Sequence, residues 1–380
     1  MALARLRGIT VLSLEQAVAA PLCTMKLADQ GARVIKIERD GQGDFARGYD
    51  NFALGSSSYF AWLNRGKESL EVDIKKEKHK EALLDMISSG KVDVFVQNLA
   101  PGAAARAGFG ASTLRELNDR LITLDISGYG EVGPRASYKA YDLLVAAEAG
   151  LCNVTGTPEE PARVGVSISD ITCGMNGYAA VLEGLFERER TGKGGSFKVS
   201  LFDTIAEIMN VPYIQQKYTG NAPQRMGLRH PSIAPYGAFK TLDHRTILIS
   251  VQNDREWVNL CELVLEDAAL VQDERFSTGR NRVANREEVD AFVAKRFSEL
   301  DAETLASRLL EAGIAFGELN SVEGLVKHPQ LRTVTFETDK GKELQVPAPA
   351  VLPSEQRLNH VPVLGEHNKI IEKDFGVFFS

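Results

Sequence analysis

Short apolar runs alternate with amphipathic stretches over roughly the first half of the chain. The apolar runs are rich in β-branched residues and flanked by turn-forming residues, so each predicts a strand. The stretches between them repeat apolar positions at helical spacing. The predicted strands are GITVLSL, VIKIER, SLEVDI, VDVFVQN, LITLDISG and SFKVSL, and the predicted helices are PLCTMKLADQG, KEKHKEALLDMISSG and STLRELNDR. This alternation predicts an α/β fold, with a Rossmann-like large domain built on a mainly parallel sheet.

The pattern changes after about residue 210. A loop-rich stretch, YTGNAPQRMGLRHPSIAPYGAF, precedes a predicted strand, TILISVQ, and three helical segments, DREWVNLCELVL, REEVDAFVAKRFSEL and AETLASRLLEAG. A helix, SVEGLVKHP, and two strands, VTFET and KELQVPA, follow. We therefore predict a large domain over residues 1–205, a smaller α/β domain over 220–320 and a C-terminal segment over 325–380.

Composition and charge exclude several classes of protein. The chain has 380 residues, of which 44% are hydrophobic and 25% charged, as in ordinary globular proteins. Its net charge of -7 disfavours nucleic-acid binding, which needs a concentrated basic surface. No apolar run approaches the roughly 20 residues that span a bilayer. The first predicted strand begins too early to leave room for a secretory signal, so we expect a cytoplasmic protein.

The residues that commonly bind metals and cofactors are not arranged for that purpose. Four cysteines lie far apart, and none of the six histidines forms a close i, i+4 pair, so we expect neither disulfides nor zinc. Gly108-Phe109-Gly110 lacks the spacing of a dinucleotide-binding loop and does not directly follow a strand. A nicotinamide-dependent enzyme is therefore disfavoured.

Polar side chains directly after the strands are the first candidates for ligand binding, because open parallel sheets bind ligands beyond the carboxyl ends of their strands. Such positions are held by Glu15, Gln16, Arg39, Asn98 and Tyr129.

Asp170 is unusual because it lies among small and apolar residues in VGVSISDITCGMNGYAAVL. An ionised carboxylate in such surroundings must be hydrogen-bonded, paired or used in chemistry. One interpretation is that it caps a helix predicted over residues 171–190, since aspartate favours that position. The other is that it belongs to an active site, and this segment alone leaves both open.

Nine segments together resemble the class III CoA-transferase family, also called the CaiB/BaiF family. They are GITVLSLEQAVAAP, GARVIKIERDGQGDFARGYD, FAWLNRGKESLEVDIK, DVFVQNLAPGAAARAGFG, GYGEVGP, KAYDLLVAAEAG, GVSISDITCGMNG, TGKGGSFKVSLFD and LGEHN. The resemblance implies an interlaced homodimer, with CoA between the large and small domains and the C-terminal segment returning to the large domain. It also implies acyl-CoA and carboxylic acid substrates, and no metal or redox cofactor.

In this family, the aspartate that matches Asp170 attacks a CoA thioester and forms a mixed anhydride, which CoA thiolate converts to an aspartyl-CoA thioester. The incoming acid then repeats these steps in reverse. A partly dry pocket suits such chemistry, because hydration makes a carboxylate a feeble nucleophile. We expect Gly174 and Gly177 to let the backbone come close to the substrate.

The resemblance also implies contacts to CoA. Arg39 matches an adenosine-phosphate ligand, and Lys75, Asn98, Arg106 and Lys139 match further motif positions; the simpler alternative for each cation is a solvated surface charge. Val18 stands where some relatives have glutamine, and Gln16 is the nearest candidate to replace it.

Tyr141 and Asp142 stand where racemases of the same family have histidine and aspartate. An ordinary tyrosine, with a pKa near 10, is a poor substitute for that histidine. The favoured function is therefore CoA transfer, with a racemase-type isomerase or a non-catalytic CoA-binding protein as alternatives. Arg47, Arg225, Arg229 and His230 could bind the second carboxylate of a C4–C5 dicarboxylate, unless they are ordinary surface cations.

Overall fold

The computed structural model describes residues 4–351 and 358–379, which fold into two compact units. The first comprises Met1–Leu151, Arg163–Val211 and Arg332–Ser380, and the second comprises Cys152–Ala162 and Pro212–Leu331. Residues 152–162 thus belong to the second unit, although the sequence pattern placed them in the large domain. Arg225 explains this difference, because its guanidinium donates to the carbonyls of Asn153, Thr157 and Pro158 at 2.9–3.1 Å.

A six-stranded parallel sheet forms the centre of the first unit, in the order β3-β2-β1-β4-β5-β6. Its strands are β1 (Thr10–Leu14), β2 (Arg33–Arg39), β3 (Lys67–Val72), β4 (Val94–Gln97), β5 (Ile122–Ser127) and β6 (Ser196–Ser200). This is the Rossmann strand order, and the chain reverses direction across the sheet between β1 and β4. The loops after those two strands therefore meet at a crevice, which is where such folds bind their ligands.

Helices cover both faces of this sheet, so its central strands are apolar throughout. Through the first unit and its boundaries the helices are α1 (Ala19–Asp29), α2 (Ser58–Asn64), α3 (Glu77–Ser88), α4 (Ala103–Arg106), α5 (Ala111–Leu117), α6 (Asp142–Glu148), α7 (Leu151–Val154), α8 (Ile168–Thr191), α9 (Leu201–Ile208) and α10 (Asn210–Thr219). A 3-10 helix spans Phe45–Gly48. One buried cluster joins β1 and β2 to α3, and another joins β1 and β5 to α1 and α8.

The second unit contains an antiparallel sheet of β7 (Tyr236–Lys240), β8 (Thr246–Ser250) and β9 (Ala315–Glu318). Its helices are α11 (Asp254–Asn259), which continues as a π-helical turn over Leu260–Leu265, α12 (Ala269–Gln272), α13 (Gly279–Ala284), α14 (Arg286–Phe297), α15 (Ala302–Glu311) and α16 (Val322–Val326). Trp257, Phe276 and Phe297 are buried in its core.

The C-terminal segment of the first unit forms a hairpin of β10 (Thr333–Glu337) and β11 (Glu343–Pro347), followed by α17 (Asn368–Phe375). Asn368 attaches α17 to strand β3, since its side chain accepts from the N–H of Glu71 at 2.9 Å and donates to the carbonyl of the same residue at 3.0 Å. None of the helices within the described ranges has the length and hydropathy needed to cross a membrane. The homodimer implied by the family resemblance stays a prediction.

Helix α8 approaches α1 closely because of Gly174. A Cβ on Gly174 would lie 2.5 Å from the carbonyl oxygen of Ala19 and 2.8 Å from Cβ of Leu22. A Cβ on Gly177 would meet only side chains, at 3.1–3.6 Å. The structure therefore corrects the expectation for both glycines: their contacts are with neighbouring helices and strands, and they let α8 lie against α1 and β5.

We expect Gly174→Ala to lower the free energy of unfolding by about 1–3 kcal/mol, because the new methyl group collides with backbone that cannot rotate away. Gly177→Ala is the matched control in the same helix, with the same gain in helix propensity but softer neighbours. Chemical denaturation of both variants measures the difference. Equal stability of the two variants would contradict this account of the packing.

Candidate active site

A cavity of about 900 Å³ lies at the crevice between the ends of β1 and β4. Three segments line it, namely residues 16–19 after β1, residues 98–101 after β4 and residues 126–128 at the end of β5. The first turn of α8 contributes Asp170. The sheet order thus brings together residues that are far apart in the sequence, as expected at such a switch point.

The Asp170 carboxylate accepts no hydrogen bond from the part of the chain that the structure describes. Burial raises its pKa to about 7, and the nearby charge of Asp142 adds to the shift. A carboxylate with neither a cation nor a hydrogen-bond donor is costly to ionise. Asp170 is therefore a candidate for chemistry rather than for structural support.

Asp142 caps helix α8, so the interpretation of Asp170 as the cap is wrong. One carboxylate oxygen of Asp142 accepts from the backbone N–H of Ser169 at 2.7 Å and from that of Asp170 at 3.3 Å. The Ser169 hydroxyl also donates to the Asp142 carbonyl at 3.0 Å. Because of this cap, the helix begins at Ile168, before the predicted residue 171, and Asp170 falls within its first turn.

The loop after β1 is bound to the loop after β4 by Asn98. Its side-chain oxygen accepts from the N–H of Gln16 at 2.9 Å, and its side-chain nitrogen donates to the Gln16 carbonyl at 2.8 Å. Asn98 and Gln16 both line the cavity, but the amide group of Asn98 is occupied by the neighbouring loop.

Several other predicted residues line the same cavity. Val18, Lys139, Tyr141 and Asp142 are among its lining residues, and the Tyr141 side chain is two-thirds exposed.

Sequence reasoning missed Tyr49, Tyr59 and Arg163, which also line the cavity. The rings of Tyr49 and Tyr59 contact each other edge to face, 5.7 Å apart. Burial raises the pKa of Tyr49 to about 12, with smaller contributions from Asp44 and Asp170. The only sequence signal for Tyr49 was its place in GDFARGYD, shortly after a predicted strand.

A second cavity of about 610 Å³ lies beyond the ends of β1, β2 and β3. It brings Arg39 and Lys75 together, and it shares Gln16 and Leu99 with the first cavity. Arg39 donates to the side chain of Gln42 at 3.1 Å, in an exposed contact that an anionic ligand could replace. Arg106 lines neither cavity, and its guanidinium donates to the carbonyl of Pro101 at 3.3 Å.

Arg47 also lines neither cavity. Its guanidinium pairs with Glu38 at 2.7 Å, donates to the carbonyl of Pro362 at 3.1 Å and lies 3.8 Å from the centre of the Phe60 ring. These contacts indicate that Arg47 stabilises the fold and is not free to bind a substrate.

Arg229 and His230 belong to the second unit. Arg229 pairs with Glu287 at 3.1 Å and with Asp290 at 3.4 Å. The His230 ring stacks on Tyr236 at 5.2 Å, and its Nδ1 accepts from the N–H of Ser232. Their side chains are thus engaged within that unit.

Three side chains elsewhere approach the arrangement of a metal site, namely His360, Glu366 and His367. However, Nδ1 of His367 accepts from the backbone N–H of Ser69 at 3.2 Å. A neutral imidazole that accepts at Nδ1 carries its proton on Nε2, the nitrogen nearest Glu366, and cannot bind a metal there. The cluster therefore does not supply three ligands.

Comparison with known proteins identifies the class of enzyme. Residues 6–368 match CoA-transferase family III, and the chain belongs to this family. It is therefore a CoA-transferase. The chain is 37% identical over 325 residues to acetyl-CoA:oxalate CoA-transferase of Acetobacter aceti, an alignment that covers 85% of this chain and 82% of the relative.

Two further relatives cover nearly the whole chain. Succinyl-CoA:glutarate CoA-transferase of Homo sapiens is 32% identical over 385 residues, which cover 97% of this chain and 85% of the human protein. The crystal structure of a CaiB/BaiF family protein from Brucella suis superimposes with a TM-score of 0.81 at 30% identity, covering 97% of this chain and 99% of that one. The family resemblance and the fold class are thus confirmed.

We expect Asp170→Asn to stabilise the protein at pH 8. The pKa of about 7 exceeds the roughly 3.9 of an exposed aspartate, so the folded state holds this proton more tightly than the unfolded state. The free energy of unfolding therefore falls as pH rises from about 4 to about 7, by about 1.4 kcal/mol per pH unit at most. The asparagine variant has no ionisable group at position 170, so its free energy of unfolding does not fall in this way.

Thermal melting of both proteins between pH 4 and pH 8 measures the effect. The advantage of the variant should be largest at pH 8 and should shrink toward pH 4. Asp119→Asn is the control, because it changes a carboxylate exposed to solvent. A constant difference across this range would show that Asp170 is not held in a costly environment.

Proposed function

We propose that this CoA-transferase moves CoA from a short dicarboxylyl-CoA, such as succinyl-CoA, to a C4–C5 dicarboxylate, with Asp170 as the nucleophile. The observation that carries the proposal is the Asp170 carboxylate itself, which faces a cavity at the sheet switch point without a hydrogen-bond partner among the described residues. Such a carboxylate loses little solvation when it attacks, so its reactivity is higher than in water.

The first half of the reaction releases the donor acid. An oxygen of Asp170 attacks the thioester carbonyl carbon, the carbon–sulfur bond breaks, and CoA leaves as its thiolate. The products are a mixed anhydride on Asp170 and free CoA thiolate. The thiolate then attacks the Asp170 acyl carbon, which gives an aspartyl-CoA thioester and the donor carboxylate.

The second half reverses these steps with the acceptor. The acceptor carboxylate attacks the aspartyl thioester and displaces CoA thiolate, which forms a second anhydride. The thiolate attacks the acceptor's carbonyl carbon, and the new acyl-CoA leaves while Asp170 regains its carboxylate. No net proton transfer is needed, and the scheme calls for neither a metal nor a redox cofactor.

Each tetrahedral intermediate carries an oxyanion that needs hydrogen-bond donors. The backbone N–H groups of Val18 and Ala19 are suited to this role. Both residues line the cavity at the start of α1, and their N–H groups have no hydrogen-bond acceptor within the described ranges. The positive end of the α1 dipole also favours negative charge there.

The second cavity suits the phosphate groups of CoA. Arg39 and Lys75 supply positive charge, and guanidinium and ammonium groups bind phosphate well. Because this cavity shares Gln16 and Leu99 with the Asp170 cavity, a CoA chain can pass from one to the other along those residues. We propose that the thioester then reaches Asp170.

The acceptor preference is proposed from the relatives and from two cations. The relatives described above are named for oxalate and glutarate, both dicarboxylates. Lys139 and Arg163 are the cationic side chains that line the Asp170 cavity. Either one could bind the carboxylate that does not react.

We expect succinyl-CoA to acylate Asp170. Incubation with succinyl-CoA, trapping with hydroxylamine and peptide mass spectrometry should place a hydroxamate on Asp170. In Asp170→Asn the modification should be absent, and CoA exchange should fall by on the order of 10³-fold or more, because the nucleophile is lost.

The control is Asp50→Asn, a carboxylate that lines the same cavity and is bound to Ser58 by hydrogen bonds. This variant should still be modified at Asp170. Exchange at the native rate by Asp170→Asn, verified free of deamidation, would contradict the proposal. Exchange of the α-proton with solvent deuterium without an adduct would indicate a racemase instead.

We expect glutarate, mesaconate, itaconate and citramalate to accept CoA with kcat/KM at least about tenfold above that of monocarboxylates of equal length. The reason is that a charge-assisted hydrogen bond to the second carboxylate contributes about 1.5–3 kcal/mol. Chromatography of the acyl-CoA products measures each acid. Arg163→Gln or Lys139→Gln should lower the ratio of kcat/KM for dicarboxylates to kcat/KM for monocarboxylates.

Lys193→Gln is the control for that experiment, because Lys193 is an exposed cation outside both cavities. It should leave the ratio of dicarboxylate to monocarboxylate rates unchanged. Equal use of the two classes of acid by the unmodified enzyme would overturn the proposed acceptor class while leaving the role of Asp170 intact.

A further inference from the structure

Ala17 has a left-handed backbone conformation, with φ of 64°. Residues other than glycine rarely adopt this region, because their Cβ atom crowds the backbone. Asparagine and aspartate enter it more easily with the help of their side chains, but alanine has no such group. Surrounding residues must therefore impose this conformation on Ala17.

Two side chains impose it. Asn98 holds both backbone groups of Gln16, as described above. Asp44 accepts the next N–H along the chain, that of Ala17, on its Oδ1 at 3.2 Å. The loop is thus fixed just before Val18 and Ala19, which line the cavity and whose N–H groups have no acceptor among the described residues.

Asp44 is itself held rigidly. Its other oxygen, Oδ2, accepts from Nζ of Lys36 at 2.7 Å, and neither side chain is exposed to solvent. Lys36 also donates to the carbonyl of Glu15 at 3.4 Å, within the same loop. A buried carboxylate that moved away would leave a buried ammonium with one fewer partner, so the geometry of Asp44 resists change.

Asp44 also contacts a second segment that lines the cavity. Its Oδ1 accepts from the N–H of Ala46 at 2.9 Å and thereby caps the 3-10 helix Phe45–Gly48. Phe45 and Tyr49, at the two ends of this helix, line the cavity. One carboxylate oxygen therefore connects two segments that line the cavity.

We infer that Asp44 is a positioning residue for CoA transfer. It holds Ala17 in the left-handed conformation and so fixes the N–H groups of Val18 and Ala19 relative to Asp170. This inference rests on the proposed function, since it assumes that these groups act on the intermediates formed at Asp170. A purely stabilising ion pair of Asp44 with Lys36 is the competing explanation.

Glycine at position 17 distinguishes the two explanations, because glycine adopts the left-handed region without the penalty that alanine bears. The variants are Asp44→Ala, Asp44→Asn, Ala17→Gly and the double variant Asp44→Ala with Ala17→Gly. The measurements are kcat and KM for succinyl-CoA, together with the thermal midpoint of each variant.

We expect Asp44→Ala to lower kcat by at least tenfold, and Asp44→Asn to lower it less, because the amide oxygen can still accept from Ala17 and Ala46. Adding Ala17→Gly to Asp44→Ala should restore kcat by about tenfold, which corresponds to about 1.4 kcal/mol. Ala17→Gly alone supplies the reference against which the recovery of kcat in the double variant is measured.

Ala100→Gly in the Asp44→Ala background is the matched control. Ala100 lines the same cavity but has no positive φ, so glycine there adds flexibility without favouring the required conformation. It should not restore kcat. Equal recovery from both glycines, or none from Ala17→Gly in a folded Asp44→Ala variant, would overturn the inference.

Hydrogen–deuterium exchange of the peptide containing residues 15–19 provides a readout that needs no activity. Asp44→Asn keeps the volume of the side chain, so it can be used should Asp44→Ala fail to fold. In Asp44→Asn, exchange of this peptide should be faster than in the unmodified protein. Adding Ala17→Gly should slow the exchange again. Unchanged exchange in every folded Asp44 variant would contradict the inference. A failure of the proposed function would instead appear as a missing Asp170 adduct with the exchange pattern intact.

Discussion

Competition between two carboxylates for one helix N-terminus determines the character of this site. Asp142 takes the backbone N–H groups of Ser169 and Asp170, and Asp170 is left at the same helix end without a donor. Had Asp170 capped the helix itself, those hydrogen bonds would have stabilised its charge and lowered its pKa. The capping bond of Asp142 therefore leaves the Asp170 carboxylate poorly solvated at the cavity, and the proposed role of Asp170 as a nucleophile depends on that condition.

The loop after β1 lines the same cavity as Asp170 and is held by hydrogen bonds to side chains from other parts of the sheet edge. Strand order places the loops after β1 and β4 side by side, and Asn98 and Asp44 fix the β1 loop. The charges beneath this loop are fully buried, as in the pairs Lys36–Asp44 and Lys67–Glu15 at 2.7 Å. Buried ion pairs often contribute little net stability, so their geometric role is the better explanation for their presence beside the site.

The sequence predicted the parallel sheet because strands buried on both faces give continuous apolar runs, such as those of β1 and β4. It also drew attention to Asp170 through its apolar neighbours. It could not show that the cap comes from Asp142, 28 residues earlier, since local patterns carry no information about contacts between helices. Gly174 was expected to let the backbone come close to the substrate, and its contact with Ala19 on α1 could not be seen in the sequence.

The basic residues show most clearly why a site cannot be assembled from residue types alone. Arg39 ends strand β2 and Arg47 follows it, and either could bind an anion. Folding places Glu38 and Phe60 around Arg47, so its guanidinium has few N–H groups left to bind a substrate. Arg39 instead makes only an exposed contact with Gln42 and lines a cavity. Whether a cation binds a substrate thus depends on which carboxylates and rings the tertiary structure brings to it. The same rule applies to Asp170, whose carboxylate is left without a donor because Asp142 takes the N–H groups at the start of α8.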